Sequence, residues 1–161
     1  MRILGIDPGT GILGFGVITG DHRQPRMVDA GVIRTKPHQP EGERLHIIYD
    51  SLREIVAGTQ PTAVSVEKLF FAKNVTTAMA VSQARGVVLL VAQQHSLPIF
   101  EYTPMQIKLA LTGYGKADKK QVQEMVKTLL KLREVPQPDD CADALAAALT
   151  HSSSLQLDVT Q

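Results

Sequence analysis

The sequence predicts an α/β protein built on a mixed sheet, its first three strands antiparallel, with helices on both faces. Three observations lead there. The chain begins with three strand-like runs joined by short Gly-rich or Asp-His turns. From Glu41 onward, segments with apolar residues at three-and-four spacing alternate with short β-branched or apolar runs. The longest helical segment, Asn74 to His95, is apolar on nearly every side, as expected of a helix with a partner on more than one face.

The elements follow in order. Arg2 to Ile6 reads as a buried strand, and Gly14 to Thr19 and Met27 to Thr35 as its antiparallel neighbours. Leu45, Ile48, Tyr49, Leu52, Ile55 and Val56 mark one face of a helix over Glu41 to Ala57, with Gly58 as its expected stop. Thr62 to Val66 is a β-branched strand ending on Glu67. After the long helix, Leu97 to Tyr102 forms a last short strand. Thr103-Pro104-Met105-Gln106 combines a capping Thr, a Pro at the first helical position and a Gln three residues after the cap, a strong helix start. Gly113-Tyr114-Gly115 breaks that helix, and Asp118 caps the next, whose buried face is Val122, Met125, Val126 and Leu129. A Pro-rich break over Val135 to Pro138 precedes an Ala-rich helix from about Asp139 to His151. Residues 1–151 thus read as one domain and the polar stretch 152–161 as a loose tail.

The 161 residues are 43% apolar and 20% charged, an ordinary soluble composition with room for one substantial core. No apolar stretch reaches the ~18 residues that span a bilayer, and the N-terminus lacks a signal-peptide pattern. Cys141 is the single cysteine, so there is no internal disulfide framework; this fits a reducing cytoplasm. The net charge of +1 announces no polyanion partner, yet Met105 to Arg133 carries seven Lys or Arg against two acids. A basic surface can therefore sit beside an acidic site.

The acids lie at the ends of elements. Asp7 closes the first apolar strand and Glu67 closes "TAVSV". Ligands of open sheets gather at such strand ends. In "PDDCADAL", Asp140 and Asp143 are three apart and lean to one side of the helix. Asp139, four before Asp143, faces that side about as well, and spacing does not choose between them. Each acid also has a plain structural reading: Asp7 in a Pro-Gly turn, Glu67 as an exposed strand end, Asp139 or Asp140 as a helix cap. Carboxylates gathered in one cleft raise each other's pKa values unless a cation neutralises them. Oxygen ligands without a His/Cys set favour Mg²⁺ or Mn²⁺ over zinc. Two such ions roughly 3.5–4 Å apart are the arrangement used in phosphoryl transfer.

Four blocks together, "GIDPGTGILGFGVI", "VSVEKLFFAKNVTTAMAVSQARGVVLL", "YTPMQIKLALTGYGKADKKQVQEMV" and "DDCADALAAALTH", resemble the RuvC family, the bacterial Holliday-junction resolvases. The resemblance runs from Met1 to about His151, with the blocks in family order. It implies a ribonuclease H-like fold with a five-stranded mixed sheet. It also implies a two-fold homodimer that makes paired, divalent-metal-dependent nicks in strands of like polarity on a four-way DNA junction. The products would be a 5′-phosphate and a 3′-hydroxyl, and a branch-migration motor is the implied partner.

By resemblance, Asp7, Glu67, Asp140 and Asp143 are the catalytic and metal-binding acids, holding Mg²⁺, two ions per site, with Mn²⁺ as a substitute. The resemblance favours Asp140 over Asp139. Phe70 matches an aromatic placed near the junction centre, where an exposed ring stacks on or wedges between bases; the adjacent Phe71 is then the core residue. Lys108 and Lys119 match lysines near the scissile phosphate. Lys116 and Lys120 are further backbone contacts, and Arg85 is either a DNA contact or a residue of the dimer helix. His151 reads as a charge at the helix C-terminus, and Cys141 as a small buried filler. The glycines after Asp7 read as turn formers that also let backbone approach the substrate.

Two other functions compete. One is an ATP-binding domain of the actin or sugar-kinase type, which also begins with an Asp-Gly turn after a strand; the chain is short for two lobes and has no second phosphate loop. The other is a junction-binding protein without catalysis.

Overall fold

The computed structural model describes residues 1–68 and 75–158. Phe70 and Phe71 lie outside them. Ten elements follow in chain order: β1 (Arg2–Asp7), β2 (Ile12–Thr19), β3 (Arg26–Arg34), α1 (Glu41–Thr59), β4 (Ala63–Glu67), α2 (Val75–Gln94), β5 (Ile99–Tyr102), α3 (Pro104–Thr112), α4 (Lys119–Leu129) and α5 (Asp139–Asp158). The five strands form one sheet in the order β3-β2-β1-β4-β5. β1 pairs antiparallel with β2, and β2 with β3. β1 pairs parallel with β4, and β4 with β5. The expected mixed sheet, antiparallel over its first three strands, is what the chain forms.

Strand parity divides the core in two. Leu4 and Ile6 of β1, Leu13, Phe15 and Val17 of β2, and Val64 and Val66 of β4 pack against Ile48, Leu52 and Val56 of α1 and Ala84, Val88 and Val91 of α2. Ile3 and Ile18 face the opposite way, onto a second core made with α3, α4 and α5 through Ile107, Leu111, Val122, Val126 and Leu145. Each face of the sheet thus carries its own helical layer. Among the described residues no helix is long and apolar enough to cross a membrane.

The capping signals act as the sequence indicates. Thr103 and Gln106 form a reciprocal capping box at α3, and Gly113 closes that helix in the left-handed region at φ 72°. Asp118 and Gln121 form a second box at α4. Two helix ends differ from expectation. Gly58 lies inside α1, which stops at Gln60 (φ 48°), whose N–H donates to the Val56 carbonyl. Pro61 follows and cannot extend the helix, so the working stop signal is Gln60-Pro61 rather than the glycine.

α5 runs to Asp158, seven residues past the expected end at His151. Tertiary contacts carry the Ser-rich segment as helix. His151 and Ser152 are buried, and the Tyr102 hydroxyl reaches both His151 Nδ1 at 2.8 Å and Ser154 Oγ at 2.7 Å. His151 is therefore not a charge at a helix end. Its ring stacks on Phe100 at 3.9 Å between centroids, and burial holds its pKa below the usual histidine value.

Candidate active site

The same parity that builds the two cores aims the acids. Ile3, Gly5 and Asp7 alternate on the α5 side of β1. Ala63, Ser65 and Glu67 do the same on β4, and the buried Ser65 hydroxyl donates to the Ala147 carbonyl of α5 at 2.7 Å. The β1–β4 register pairs Gly5 with Ser65 and Ile6 with Val66. Asp7 and Glu67 are the next residues on these two adjacent parallel strands, and both leave the sheet on the side that α5 covers.

α5 brings the other carboxylates, and glycines set how closely it lies. Gly14 is the ladder partner of Asp7. A β-carbon on Gly14 would overlap the Asp140 backbone carbonyl, and one on Gly5 would overlap that of Ala144. On Gly16 it would meet Leu145 Cδ2 at 2.6 Å. Gly5, Gly14 and Gly16 form a bare trough in which the Ala-rich helix rests. The expectation that glycines admit substrate is thus corrected at Gly14 and Gly16, which admit α5. The turn from Pro8 to Gly11 is held from behind: the Thr35 N–H donates to the Gly11 carbonyl at 3.0 Å, the Thr35 hydroxyl donates to the Thr10 carbonyl, and Arg44 Nε donates to that hydroxyl at 2.9 Å. Thr35 and Arg44 carry no motif, so their support of the Asp7 turn was not legible in the sequence.

The electrostatics show which acids share a space. The Asp7 carboxyl is pushed from 3.8 up to about 7, first by burial and then by Asp143, Glu67 and Asp140 in that order. Glu67 is raised by burial and by Asp143, with Lys108 and Lys119 opposing. Asp143 is raised mainly by burial. Asp139 behaves differently: it is half-exposed, pairs with Lys119 at 3.2 Å, and is held below the usual carboxylate range by that lysine. Nor does it cap α5; it lies in the helix's first turn. Of the two acids that spacing leaves equivalent, Asp140 is the one that acts on Asp7.

Lys119 also pairs with Asp143 at 3.1 Å. Burial lowers its pKa, but hydrogen bonds to Asp143 and Asp139 outweigh that and leave it raised. Glu67, Lys108, Lys119, Val122 and Asp143 line a cleft of about 190 Å³. Lys108 and Lys119 are thus brought to the acids. Lys116 and Lys120 are exposed nearby in sequence, at the loop before α4 and on its first turn. Arg85 is elsewhere, on α2, in an ion pair with Glu101 of β5.

Cys141 is buried between the acids, as expected of a filler; burial pushes its thiol pKa up. Among the described residues no three Asp, Glu, His or Cys side chains are gathered tightly enough to hold an ion as they stand. This and the raised pKa values of Asp7 and Glu67 are compatible. Charges act on each other across several ångströms, whereas coordination needs oxygens about 2.0–2.6 Å from one point, and Asp143 is turned to Lys119. The donor set fits a hard divalent cation: it is all carboxylate, and burial together with the repulsion of its neighbours keeps Asp7 protonated up to about neutral pH unless positive charge enters.

Comparison with known proteins gives the family and the fold. The family model for "Crossover junction endodeoxyribonuclease RuvC" matches residues 3–151. The protein of that name from Brevibacillus brevis is 55% identical over 152 residues, covering 94% of this chain and 92% of its own. Its counterpart in Desulfitobacterium hafniense is 52% identical over 157 residues, covering 98% and 95%. Thermus thermophilus RuvC, solved in complex with Holliday junction substrate, superposes with a TM-score of 0.94 at 39% identity, covering 98% of this chain and 96% of that one. The yeast mitochondrial Holliday junction resolvase, at 15% identity and a TM-score of 0.69, shares the fold. The sheet and its helical layers are the ribonuclease H-like arrangement of these resolvases, and the chain belongs to the RuvC family of crossover junction endodeoxyribonucleases.

Proposed function

We propose that this chain resolves four-way DNA junctions by hydrolysing two phosphodiesters symmetrically, with Asp7, Glu67, Asp140 and Asp143 as the acids that hold Mg²⁺. One observation carries the reading: burial and the nearby carboxylates of Asp143, Glu67 and Asp140 raise the pKa of Asp7, and burial and Asp143 raise that of Glu67, beside a cleft that also presents Lys108 and Lys119. Membership in the family and the likeness to a RuvC solved with junction substrate support it.

In this mechanism the strand ends hold Asp7 and Glu67 rigidly, and α5 supplies Asp140 and Asp143 from the opposite wall. Together these four acids would hold two Mg²⁺ (or Mn²⁺) ions, which would supply activation of water near neutral pH and counter-charge for the leaving oxygen. Lys119 leaves its ion pair with Asp143 to meet a phosphate oxygen, which frees that carboxylate toward the site. Lys108 balances Glu67 and contacts the same strand, and Lys116 and Lys120 hold the backbone further out. Phe70 is the residue we place at the junction centre, and Arg85, on α2, serves as a DNA contact or as a residue of the dimer helix. The products carry a 5′-phosphate and a 3′-hydroxyl and can be resealed.

Residues 1–151 act as one nuclease domain, with the end of α5 docked on it through Tyr102. The setting on this reading is the cytoplasm, with a branch-migration motor as partner.

A four-way junction has two like strands to cut, so we place two copies of the chain on it through α2. Met79 is 63% and Leu90 51% exposed. They lie eleven residues apart, about three helical turns, and so share the outer face of this apolar helix. Leu90→Glu is expected to convert a dimer to a monomer in sedimentation and to abolish paired nicking, with little change in helix content.

The direct test is Mg²⁺-dependent cutting of a synthetic four-way junction by wild type, Asp139→Asn and Asp140→Asn. Wild type and Asp139→Asn cut; Asp140→Asn binds without cutting. A wild type that binds but never cuts with Mg²⁺ would leave a junction-binding protein. Mg-ATP binding without junction binding would favour the kinase-like alternative.

A further inference from the structure

We propose that Tyr114, backed by Met105, forms a nucleobase subsite beside the candidate active site, a ring on which a base of the cut strand stacks. The proposal rests on the endonuclease reading above and adds a contact to it. Met105, Leu109 and Tyr114 are 64%, 55% and 57% exposed, so three of the most exposed large apolar side chains among the described residues belong to α3 and the loop that follows it. Met105 and Leu109 are one helical turn apart on the same face of α3. Exposed apolar groups gathered beside a functional cleft mark a surface that something covers.

The loop presents the ring from a fixed backbone. Gly113 turns the chain at φ 72° and its N–H donates to the Leu109 carbonyl. The Tyr114 N–H donates to Thr112 Oγ1 at 3.1 Å, that hydroxyl donates to the Lys108 carbonyl at 2.7 Å, and the Tyr114 carbonyl accepts from the Ala117 N–H at 3.0 Å. Tyr114 is therefore tied through one side chain to Lys108, which lines the cleft with Glu67 and Asp143. A β-carbon on Gly115 would stand 3.1 Å from Met105 Cγ. The absent side chain lets Met105 lie against the loop and extend the apolar surface.

Charge selects the occupant. Lys108 precedes the ring and Lys116, Lys119 and Lys120 follow it. An aromatic platform set among cations suits a single nucleic-acid strand, its bases on the ring and its phosphates on the ammonium groups. An apolar protein partner would gain nothing from that flanking charge.

The test uses the full chain, a four-way junction with a fluorescent purine analogue at each position flanking the cut in turn, and Tyr114→Ala beside Tyr114→Phe. Wild type is expected to quench the analogue at one flanking position. Tyr114→Ala loses that quench and weakens junction binding about 5- to 150-fold, the range for one stacked base. The slope of affinity against salt is unchanged, because no phosphate contact is removed. Tyr114→Phe keeps most of both signals. Melting of Tyr114→Ala matches wild type, since the ring is exposed. Wild-type affinity and quenching in Tyr114→Ala would overturn the subsite and leave the nuclease reading standing. A wild type that neither binds nor cuts the junction would remove both.

Discussion

Asp7→Asn is expected to abolish junction cutting and at the same time make the metal-free protein more stable at pH 8. Loss of one carboxylate from a site where metal supplies several kcal/mol of transition-state stabilisation lowers the rate by about 10³-fold or more. The opposite effect on stability follows from the apo site. With its pKa raised from 3.8 to about 7, the Asp7 carboxyl binds a proton in the folded chain over a range where the unfolded chain has released it. Between these two values the native state holds more protons, so its stability falls as pH rises, and above about pH 7 the full penalty is present. The shift corresponds to at most ~4 kcal/mol at 1.36 kcal/mol per unit. Because Asp143 and Glu67 share the same repulsion, roughly 1–3 kcal/mol is the expected gain from Asn.

Thermal melts in EDTA across pH 4 to 8 measure it. The two curves should draw together toward pH 4, where the unfolded-state carboxyl is only beginning to release its proton and little of the penalty has built up, and diverge in favour of Asp7→Asn up to about pH 7. Adding Mg²⁺ should raise the wild-type midpoint, by mass action on the folded state, and leave the variant nearly unmoved. A variant less stable than wild type at pH 8 would mean that Asp7 makes favourable contacts in the apo site and is not held against repulsion.

The positions of Asp7 and Glu67 were legible because each interrupts an apolar strand at its end, where burial makes a charge conspicuous. Period-two alternation then decides which side of the sheet they face. The α5 acids were legible only as a set: residues three and four before Asp143 are nearly equivalent on a helical wheel. Packing separates them by seating the Asp140 backbone on Gly14 and leaving Asp139 to Lys119. Two kinds of feature were hidden. Alternate glycines in β2 look like turn residues, since nothing local says that a helix will occupy the space of their missing side chains. The Ser-rich continuation after His151 looks like coil, since its helical state depends on Tyr102, about fifty residues earlier in the chain.

Those glycines set the second large expectation. Gly14→Ala or Gly5→Ala should lower the melting temperature substantially and displace α5. The added carbon meets backbone carbonyl oxygens in both cases, Asp140 for Gly14 and Ala144 for Gly5. A helix backbone cannot yield as a side-chain tip does, so the cost belongs at or above the top of the roughly 1–3 kcal/mol seen for overpacked cores. For a chain of this size that is a fall of about 6–12 °C or more.

Gly58→Ala supplies the contrast. It lies within α1 with nothing near its missing β-carbon, so the same substitution there should stabilise by about 0.5–1 kcal/mol. The two trough positions are distinguishable by function. Gly5 sits under the middle of α5's contact, whereas Gly14 pairs with Asp7 and carries Asp140, so a shift at Gly14 moves one acid of the site directly away from another. Near-equal losses of stability in Gly5→Ala and Gly14→Ala, with the larger loss of cutting in Gly14→Ala under conditions where both remain folded, would tie the close approach of α5 to the chemistry. Equal loss of cutting would reduce the trough to a matter of stability alone.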